Sequence, residues 1–409
     1  MTQVLKKIGL GLLAGVGLGL LNACQLLPIQ LLTAGPGRNY YLPPEYEPVQ
    51  GMIVSDHLAE FNNGNELLST LLNAGAEVWL LSSNQELLTQ TRSVLSQRFG
   101  LQAEQMQKLR PLPVATESVW ARDWAPLFSY SSHYPGELGL VDYRYYAERP
   151  LDDGVPAALV RQFGLSGPEP GVKLATLPVE VELEGGNVLC TRKNCFVSEE
   201  VLRRIEENSG KHADAQVVRS ELEKYLEQDF WLVPRMPFES TGHLDIWTKL
   251  LDAKTLIIGQ ISAEGLEAVP EELKATYSDV SAFLEEQATG FDAEGKPSPR
   301  SLAAQVQRLE PGIKIVRIPM PTPGIYQGIE TFRTYTNSLL YNGLAIVPRY
   351  VRGQRNLRAQ RDLMLEQEQA VEKVYQQAGY RISWIRADNL IRDGGAWHCV
   401  AMQIPKLKQ

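Results

Sequence analysis

The order of short apolar strands and amphipathic helices restricts the fold of this chain more than any other feature. Residues 51–55 and 77–81 are strand-like runs, and the leucines of residues 66–73 and 86–99 have helical spacing. Further helix–strand pairs are predicted at residues 219–230 with 231–233 and 359–378 with 381–384, hairpins at 126–145 and 179–197, and a helical insertion at 264–299. Because helical crossovers and hairpins both occur, the pattern favours repeated small ββαβ units over one doubly wound sheet.

The N-terminus is predicted to be an export signal. Lys6 and Lys7 precede an apolar run at residues 8–21, which is too short to span a bilayer. The run ends in Leu21-Asn22-Ala23-Cys24, which resembles a bacterial lipobox. This resemblance implies a lipoprotein signal peptide at residues 1–23, a lipid on Cys24, a tether at residues 24–42 and a single domain at residues 43–409. A lipid anchor at Cys24 would hold the exported protein on a membrane, at the cell surface or on the periplasmic side. The alternatives are an ordinary cleaved signal and a single-pass anchor.

Charge and cysteine content narrow the possible partners. The formal net charge of −8 comes with no basic stretch, so nucleic acid is not a predicted partner, whereas a cationic substrate is compatible with it. Cys190 and Cys195 flank a predicted tight turn, and the sequence leaves open whether they form a disulfide or remain two thiols. Cys399 has no partner in this interpretation, and an unpaired cysteine in an exported protein is a candidate reactive thiol.

Four short polar clusters in apolar or glycine-rich surroundings carry the candidate chemistry. They are Trp120-Ala121-Arg122-Asp123, Glu184-Gly185-Gly186-Asn187, Gly242-His243-Leu244-Asp245 and Asp393-Gly394-Gly395-Ala396-Trp397-His398-Cys399. Each cluster alone also has a structural explanation: a buried salt bridge, a turn, two side chains on one face of a strand, or a packed thiol.

Together, the clusters supply the groups that the chemistry of a guanidinium requires. Paired carboxylates bind its planar N–H fork, and a tryptophan adds a cation–π contact. Its central carbon is a poor electrophile, so the reaction needs a thiolate and a general acid/base that protonates the departing ammonia and activates water. Two widely separated histidines do not have zinc-site spacing, so neither a metal nor any other cofactor is predicted.

The four clusters, in this order and spacing, resemble the peptidyl-arginine deiminase and agmatine deiminase branch of the guanidine-modifying superfamily. Residues 242–249 are similar to the His-x-Asp-x-Trp-x-Lys stretch of that family, and residues 332–338 resemble its Tyr-x-Asn segment, followed by Ile346-Val347-Pro348. The likeness runs from about residue 43 to about residue 405. It implies an α/β-propeller of five ββαβ repeats, the pentein fold, around a central active-site pocket.

The resemblance also implies roles for individual residues. Cys399 is the expected nucleophile, which forms a thiouronium intermediate, and His243 is the expected general acid/base. Asp123 and Asp245 are the expected clamp for the guanidinium. The remaining expected substrate-site residues are Trp120, Arg122, Glu184, Asn337 and Arg149, with Glu184 orienting His243. The expected products are citrulline and ammonia.

Two substrate classes and one non-enzymatic function remain open. Agmatine deiminases carry an acid upstream of the Arg-Asp pair, where this chain has Ser118, and an Asn-Ala-Trp-Gly-Gly stretch that residues 143–150 do not match. Residues 143–150 are more similar to bacterial secreted peptidyl-arginine deiminases, in which an arginine at the position of Arg149 contacts the substrate carboxylate. An arginine-containing peptide is therefore the expected substrate, and agmatine or another small guanidine is the alternative. A non-catalytic binding lipoprotein is the second alternative, although a pure binder would not need the thiol.

Overall fold

The strands form several small sheets rather than one large sheet. The structure, a computed structural model, describes residues 35, 37–164, 168, 171–321, 323–326, 329–350 and 358–406. The predicted signal peptide, Cys24 and most of the predicted tether lie outside the described residues.

Strands and helices are interleaved along the whole described chain. The strands are β1 (Tyr40–Tyr41), β2 (Val49–Ser55), β3 (Glu77–Leu81), β4 (Leu109–Leu112), β5 (Leu127–Ser131), β6 (Glu137–Arg144), β7 (Lys173–Glu182), β8 (Val188–Cys190), β9 (Asn194–Ser198), β10 (Asp229–Val233), β11 (Thr248–Asp252), β12 (Thr255–Gln260), β13 (Lys314–Pro319), β14 (Gly324–Tyr326), β15 (Ile329–Thr331), β16 (Leu339–Tyr341), β17 (Leu344–Arg349), β18 (Arg381–Arg386) and β19 (Met402–Pro405). The α-helices are α1 (Gly64–Asn73), α2 (Gln85–Phe99), α3 (Ala103–Gln107), α4 (Ala121–Trp124), α5 (Pro150–Asp153), α6 (Val155–Phe163), α7 (Glu200–Ser209), α8 (Ala215–Leu222), α9 (Ala263–Glu267), α10 (Lys274–Thr289), α11 (Leu302–Leu309), α12 (Arg358–Gln377) and α13 (Asp388–Arg392).

Among the described residues, five sheets share one pairing pattern. In each of them an antiparallel strand pair shares a strand with a parallel pair, and helix lies between the two parallel strands in the chain. The strand sets are β5–β6–β7, β8–β9–β10, β11–β12–β13, β16–β17–β18 and β19–β2–β3. Strand β4 extends the last set, β1 extends the first, and β14–β15 is a separate hairpin. The mixture of hairpins and helical crossovers predicted from the sequence is therefore confirmed.

Helix α2 illustrates how the local sequence sets the bounds of an element. The Asn84 side chain accepts a hydrogen bond from the Leu87 N–H at the start of the helix, and Gly100 ends the helix in the left-handed conformation, with φ of 70°. The buried positions Leu88 and Leu95 lie on one helix face and join a hydrophobic cluster that also contains residues of β2, β3 and β17. Packing of this face fixes the helix against the sheet that β2 and β3 form.

Three sequence predictions differ from the structure because tertiary pairing overrides the local pattern. The helix predicted at residues 219–230 ends at Leu222, and Phe230 instead pairs with Cys195 in the β9–β10 ladder. The hairpin predicted at residues 179–197 begins only at Val188, because β7 pairs in parallel with β6. His243 and Asp245 do not lie on a strand: they belong to a short 3-10 turn, Leu244–Ile246, with His243 at its N-cap.

Cys190 and Cys195 form a disulfide across the β8–β9 hairpin, which resolves the alternative left open by the sequence. Cys399 is a free, buried thiol. In the part of the chain that the structure describes, no helix is long and apolar enough to cross a membrane.

Candidate active site

Cys399 lies in a tight turn between α13 and β19, and Asn337 organises this turn. The Asn337 side-chain amide donates to the Cys399 sulfur over 3.1 Å, and its oxygen accepts from the Ala396 and His398 backbone N–H groups. Gly395 leaves room for the thiol, because a Cβ atom at this position would lie 2.9 Å from the Cys399 sulfur. The turn therefore holds the thiol in one place.

The surroundings of Cys399 favour its protonated form. The side chain is only 2% exposed, and burial raises the pKa of the thiol to about 12. The Asp245 carboxylate, with Oδ2 3.8 Å from the sulfur, raises this pKa further, whereas His243 lowers it. A thiol in this setting loses its proton more readily when a cation binds beside it.

His243 faces three carboxylates. Its Nε2 donates to Glu184 over 2.8 Å, and its Nδ1 lies 3.8 Å from Asp123 Oδ1 and 4.0 Å from Asp245 Oδ1. Burial alone would lower the pKa of His243, but the Asp123 and Glu184 carboxylates outweigh it and hold the pKa well above its usual value. The raised pKa favours the imidazolium, which is the form that a general acid needs.

Asp123 and Asp245 flank His243 from two different segments. Asp123 lies on α4, and its Oδ1 accepts from the Gly186 N–H over 3.2 Å. Burial, together with repulsion from Glu184 and Asp245, raises the pKa of Asp123 to about 7, against the opposing effect of His243. Asp245 keeps a lowered pKa in spite of its burial, because His398 donates from Nδ1 to Asp245 Oδ2 over 2.6 Å. A Cβ at Gly186 would lie 2.5 Å from His243 Nδ1, so only glycine fits between these groups.

A cavity of about 180 Å³, which we call the site cavity, opens onto the thiol. Its lining residues are Trp120, Asp123, Tyr145, Tyr146, Arg149, Glu184, Ser240, Thr241, His243, Asp393, Gly394 and Cys399. Acids, an imidazole, a thiol and aromatic rings thus surround one space, which suits a planar cation.

Two arginines flank Tyr146 at the wall of the site cavity. The Arg149 guanidinium carbon lies 5.3 Å from the Tyr146 ring centroid, and Arg149 donates to the Tyr145 hydroxyl over 3.2 Å. Arg204 lies over the same ring at 4.5 Å and pairs with Glu184 at 2.8 Å. Burial raises the pKa of Glu184, but His243, Arg204 and a hydrogen bond from Tyr146 outweigh it and hold the pKa below the usual value.

Two of the predicted substrate-site residues lie elsewhere. Arg122 does not line the site cavity: its guanidinium pairs with Glu45 at 3.0 Å and lines a separate cavity beside Met402. The adjacent Asp123 faces the site cavity instead, because neighbouring side chains of the short helix α4 point in different directions. Asn337 does not line the site cavity either and supports the Cys399 turn. The site cavity is lined by the predicted substrate-site residues Trp120, Glu184 and Arg149. It is also lined by the predicted catalytic residues Asp123, His243 and Cys399. The fourth, Asp245, contacts the thiol but does not line the cavity.

Sequence reasoning missed a buried charge network behind the thiol. Both nitrogens of His398 lie beside carboxylates, Nδ1 2.6 Å from Asp245 Oδ2 and Nε2 2.7 Å from Glu45 Oε1. Glu45 also accepts from Lys249 Nζ over 2.7 Å. Burial opposes the ionisation of Glu45, but His398, Lys249 and Arg122 hold its pKa well below the usual value. Glu45 is separated from His398 by 353 positions, and no local pattern marks it.

Within the part of the chain that the structure describes, two trios of side chains have the spacing of metal ligands. They are His243, Asp245 and Cys399, and Asp123, Glu184 and His243. A metal needs a neutral imidazole and a thiolate, whereas carboxylates favour the imidazolium of His243 and burial favours the protonated thiol of Cys399. The donor set therefore suits an organic cation better than a metal ion.

Comparisons with known proteins agree with this chemistry. A family model described as Porphyromonas-type peptidyl-arginine deiminase matches residues 48–405. No curated protein sequence matches the chain at a significant level.

Solved structures show the same fold. One described as an arginine deiminase from Porphyromonas gingivalis has a TM-score of 0.65 at 17% identity, covering 90% of this chain and 98% of that one. The agmatine deiminase of Enterococcus faecalis has a TM-score of 0.61 at 16% identity, covering 91% of this chain and 99% of that one. A substrate-bound agmatine deiminase from C. jejuni has a TM-score of 0.60 at 16% identity, covering 93% of this chain and 99% of that one. The fold is therefore the mixed α/β fold of these deiminases. With most of its length matched by the family model, the chain belongs to the Porphyromonas-type peptidyl-arginine deiminase family.

Proposed function

We propose that this protein hydrolyses the guanidinium group of peptidyl-arginine to give peptidyl-citrulline and ammonia, with Cys399 as the nucleophile. The observation that carries the proposal is the convergence of a buried thiol, the His243 imidazole and the Asp123 and Glu184 carboxylates on one aromatic-walled cavity, with the Asp245 carboxylate 3.8 Å from the thiol. The Asp123 and Asp245 carboxylates bind the N–H fork of the guanidinium, which brings its carbon next to the sulfur. The bound cation favours loss of the thiol proton to solvent, since His243 already carries the proton that it later donates.

The reaction follows in two halves. The Cys399 sulfur bonds to the guanidinium carbon, one terminal nitrogen takes a proton from His243, and the carbon–nitrogen bond breaks to release ammonia. A cationic thiouronium remains on the enzyme. Water then gives a proton to His243 while its oxygen bonds to the same carbon. The carbon–sulfur bond breaks, the hydroxyl proton is released, and the ureido group of citrulline leaves with the thiolate restored.

We also propose that the five similar sheets form a five-bladed α/β-propeller around this site. The support is the position of the site residues in the chain. Each connection between consecutive sheets of the pattern carries one of them: Asp123 before β5, Glu184 before β8, His243 before β11, Asn337 before β16 and Cys399 before β19. A ring of five units whose connections meet at the centre would bring these five residues together.

A peptide substrate is favoured over agmatine by the wall of the site cavity. Arg149 lines the cavity and is a cation that suits a carbonyl or carboxylate group and repels the ammonium of agmatine. Ser118, at the position of the upstream acid of agmatine deiminases, donates to Asp152 and adds no charge to the site. Agmatine remains the second candidate because several of the structures with the same fold are agmatine deiminases.

Parallel assays of blocked arginine peptides, free arginine and agmatine test the substrate class. We expect the peptides to have the highest kcat/KM. We expect Arg149→Ala to lower kcat/KM by about tenfold or more, the worth of one charge-assisted hydrogen bond, on peptides that end in arginine. The effect on internal arginine should be smaller. Arg144→Ala is the matched control, because Arg144 is exposed, pairs with Glu180 and does not line the site cavity. Efficient turnover of agmatine with none of any peptide would contradict the peptide proposal.

We propose further that residues 1–23 are a lipoprotein signal peptide, that residues 24–42 tether the catalytic domain at residues 43–409, and that a lipid on Cys24 anchors the exported protein to a membrane. Cys24→Ser should move the protein from the membrane fraction to the soluble fraction with its deiminase activity intact, since Cys24 has no role in the proposed reaction. Fractionation followed by immunoblotting measures this. Persistence of the variant in the membrane fraction would indicate an uncleaved anchor instead.

A further inference from the structure

A second cavity, of about 200 Å³, lies directly beside the site cavity. Ser240 and Gly394 line both cavities, so the two spaces are adjacent. Gly394 belongs to the turn that carries Cys399, and Ser240 belongs to the loop that leads to His243. The second space, which we call the adjoining cavity, therefore begins at the two segments that supply the nucleophile and the acid/base.

An exposed aromatic ring forms one side of the adjoining cavity. Phe238 is 60% exposed and has φ of 62°, a left-handed conformation that bulky residues rarely adopt. Both features are unfavourable in the free protein, since a large ring faces water and the backbone is strained. Strained residues of this kind are typical of functional sites, so the ring is a candidate contact for a ligand.

Besides Phe238, three apolar side chains line the adjoining cavity, together with several polar ones. The side chains of Ile246 and Ile391 are buried, and Phe332 stacks on Tyr277 with ring centroids 5.2 Å apart. Arg392 and Thr276 also line the cavity.

Glu239, the acid in this lining, is occupied by its own loop. Its carboxylate accepts from the Thr241 N–H and hydroxyl and, over 2.6 Å, from the Gly242 N–H. The carboxylate is therefore committed to holding the loop before His243. The exposed ring of Phe238 remains as the large apolar surface that this cavity offers to a ligand.

We propose that the adjoining cavity is a subsite for a large apolar or aromatic side chain next to the target arginine in the peptide. This inference rests on the proposed function, because it requires the target arginine to occupy the site cavity. Consecutive residues of an extended peptide are about 3.3–3.6 Å apart, so the neighbour of a bound arginine reaches a space that shares lining residues with the site cavity. The enzyme accordingly selects arginines with a bulky apolar neighbour.

Paired peptides measure the selectivity. In a blocked Gly-Arg-Gly peptide, phenylalanine replaces the residue before or after the arginine, and kcat/KM is compared with that of the parent. Burial of one aromatic side chain predicts a gain of roughly 10- to 100-fold at one of the two positions. Phe238→Ala should reduce the ratio between the phenylalanine and glycine peptides towards one. Phe291→Ala is the matched control, because Phe291 is also a largely exposed ring, 51% exposed, and lines neither cavity; it should keep the ratio.

Binding to the Cys399→Ser protein separates this inference from the proposed function. Calorimetry on this variant should show the same preference for the phenylalanine peptide in Kd, without turnover. Equal kcat/KM values for the two peptides, or a preference that survives Phe238→Ala, would overturn the subsite even if deimination is observed. A preference in binding without release of citrulline by the wild-type protein would support the subsite and refute the proposed reaction.

Discussion

At the scale of single residues, the candidate site is a set of interacting charged groups whose arrangement suits the binding of a cation. Burial keeps Cys399 protonated, neighbouring carboxylates keep His243 charged, and crowding of acids raises the pKa of Asp123. Carboxylates that contribute to these pKa shifts lie within about 4 Å of the Cys399 sulfur or of the His243 imidazole, a distance at which charges interact strongly. In the proposed reaction, a bound guanidinium would stabilise both carboxylates and the thiolate at once.

Asp123 predicts how binding depends on pH. With its pKa raised to about 7, Asp123 is ionised at pH 8 and mostly neutral at pH 6, whereas the guanidinium stays charged throughout. The affinity of the Cys399→Ser protein for a blocked arginine peptide should therefore fall as the pH falls, by about tenfold per pH unit below 7. Calorimetry from pH 5.5 to 8.5 measures this. Asp123→Asn should bind the peptide weakly, and its affinity should not change with pH in this way. An affinity independent of pH in the protein that keeps Asp123 and Asp245 would contradict the assignment.

At the scale of elements, the connections between sheets carry the chemistry, and a segment before β2 supports them. The residues between β1 and β2 bring Glu45 to His398, Lys249 and Arg122. These three side chains thus share one carboxylate, and one of them, His398, holds Asp245. Glu45 acts on the reaction only through these contacts.

Glu45→Gln should destabilise the fold by about 3–5 kcal/mol, because it leaves buried cations without a counter-charge. It should also lower kcat, since His398 no longer fixes Asp245. Glu47→Gln is a close control: Glu47 pairs with Arg192, an exposed side chain, so a change of about 1 kcal/mol or less is expected. Chemical denaturation compares the two free energies of unfolding. Equal, small effects would mean that the Glu45 network is not structurally important.

The sequence predicts the type of each element better than its partners. The leucine spacing at residues 86–99 predicts α2 to within one residue, because one helix face is buried. The end of α8 is mispredicted because Phe230 satisfies a strand pairing that no local pattern reveals. Likewise, the motif at residues 120–123 identifies Asp123 but also suggests Arg122, whose side chain turns away towards Glu45. Long-range contacts decide these cases, and they are not encoded by spacing.

At the scale of the whole molecule, the site exists only when distant parts of the chain meet. Its side chains come from residues 120 to 399, and β19, which follows Cys399, is fixed by antiparallel pairing with β2. The thiol therefore reaches Asp123 and His243 only in the folded chain. Membership of the deiminase family and the chemistry of the assembled site point to the same reaction.

Release of citrulline and ammonia from a blocked arginine peptide, measured for the wild-type and Cys399→Ser proteins, tests this account most directly. We expect the wild-type protein to release the two products in equal amounts. We expect Cys399→Ser to lose activity on the order of a thousandfold or more, with an unchanged circular dichroism spectrum and Tm. Substantial turnover by Cys399→Ser, or no release of either product from peptide, free arginine or agmatine by the wild-type protein, would contradict the account.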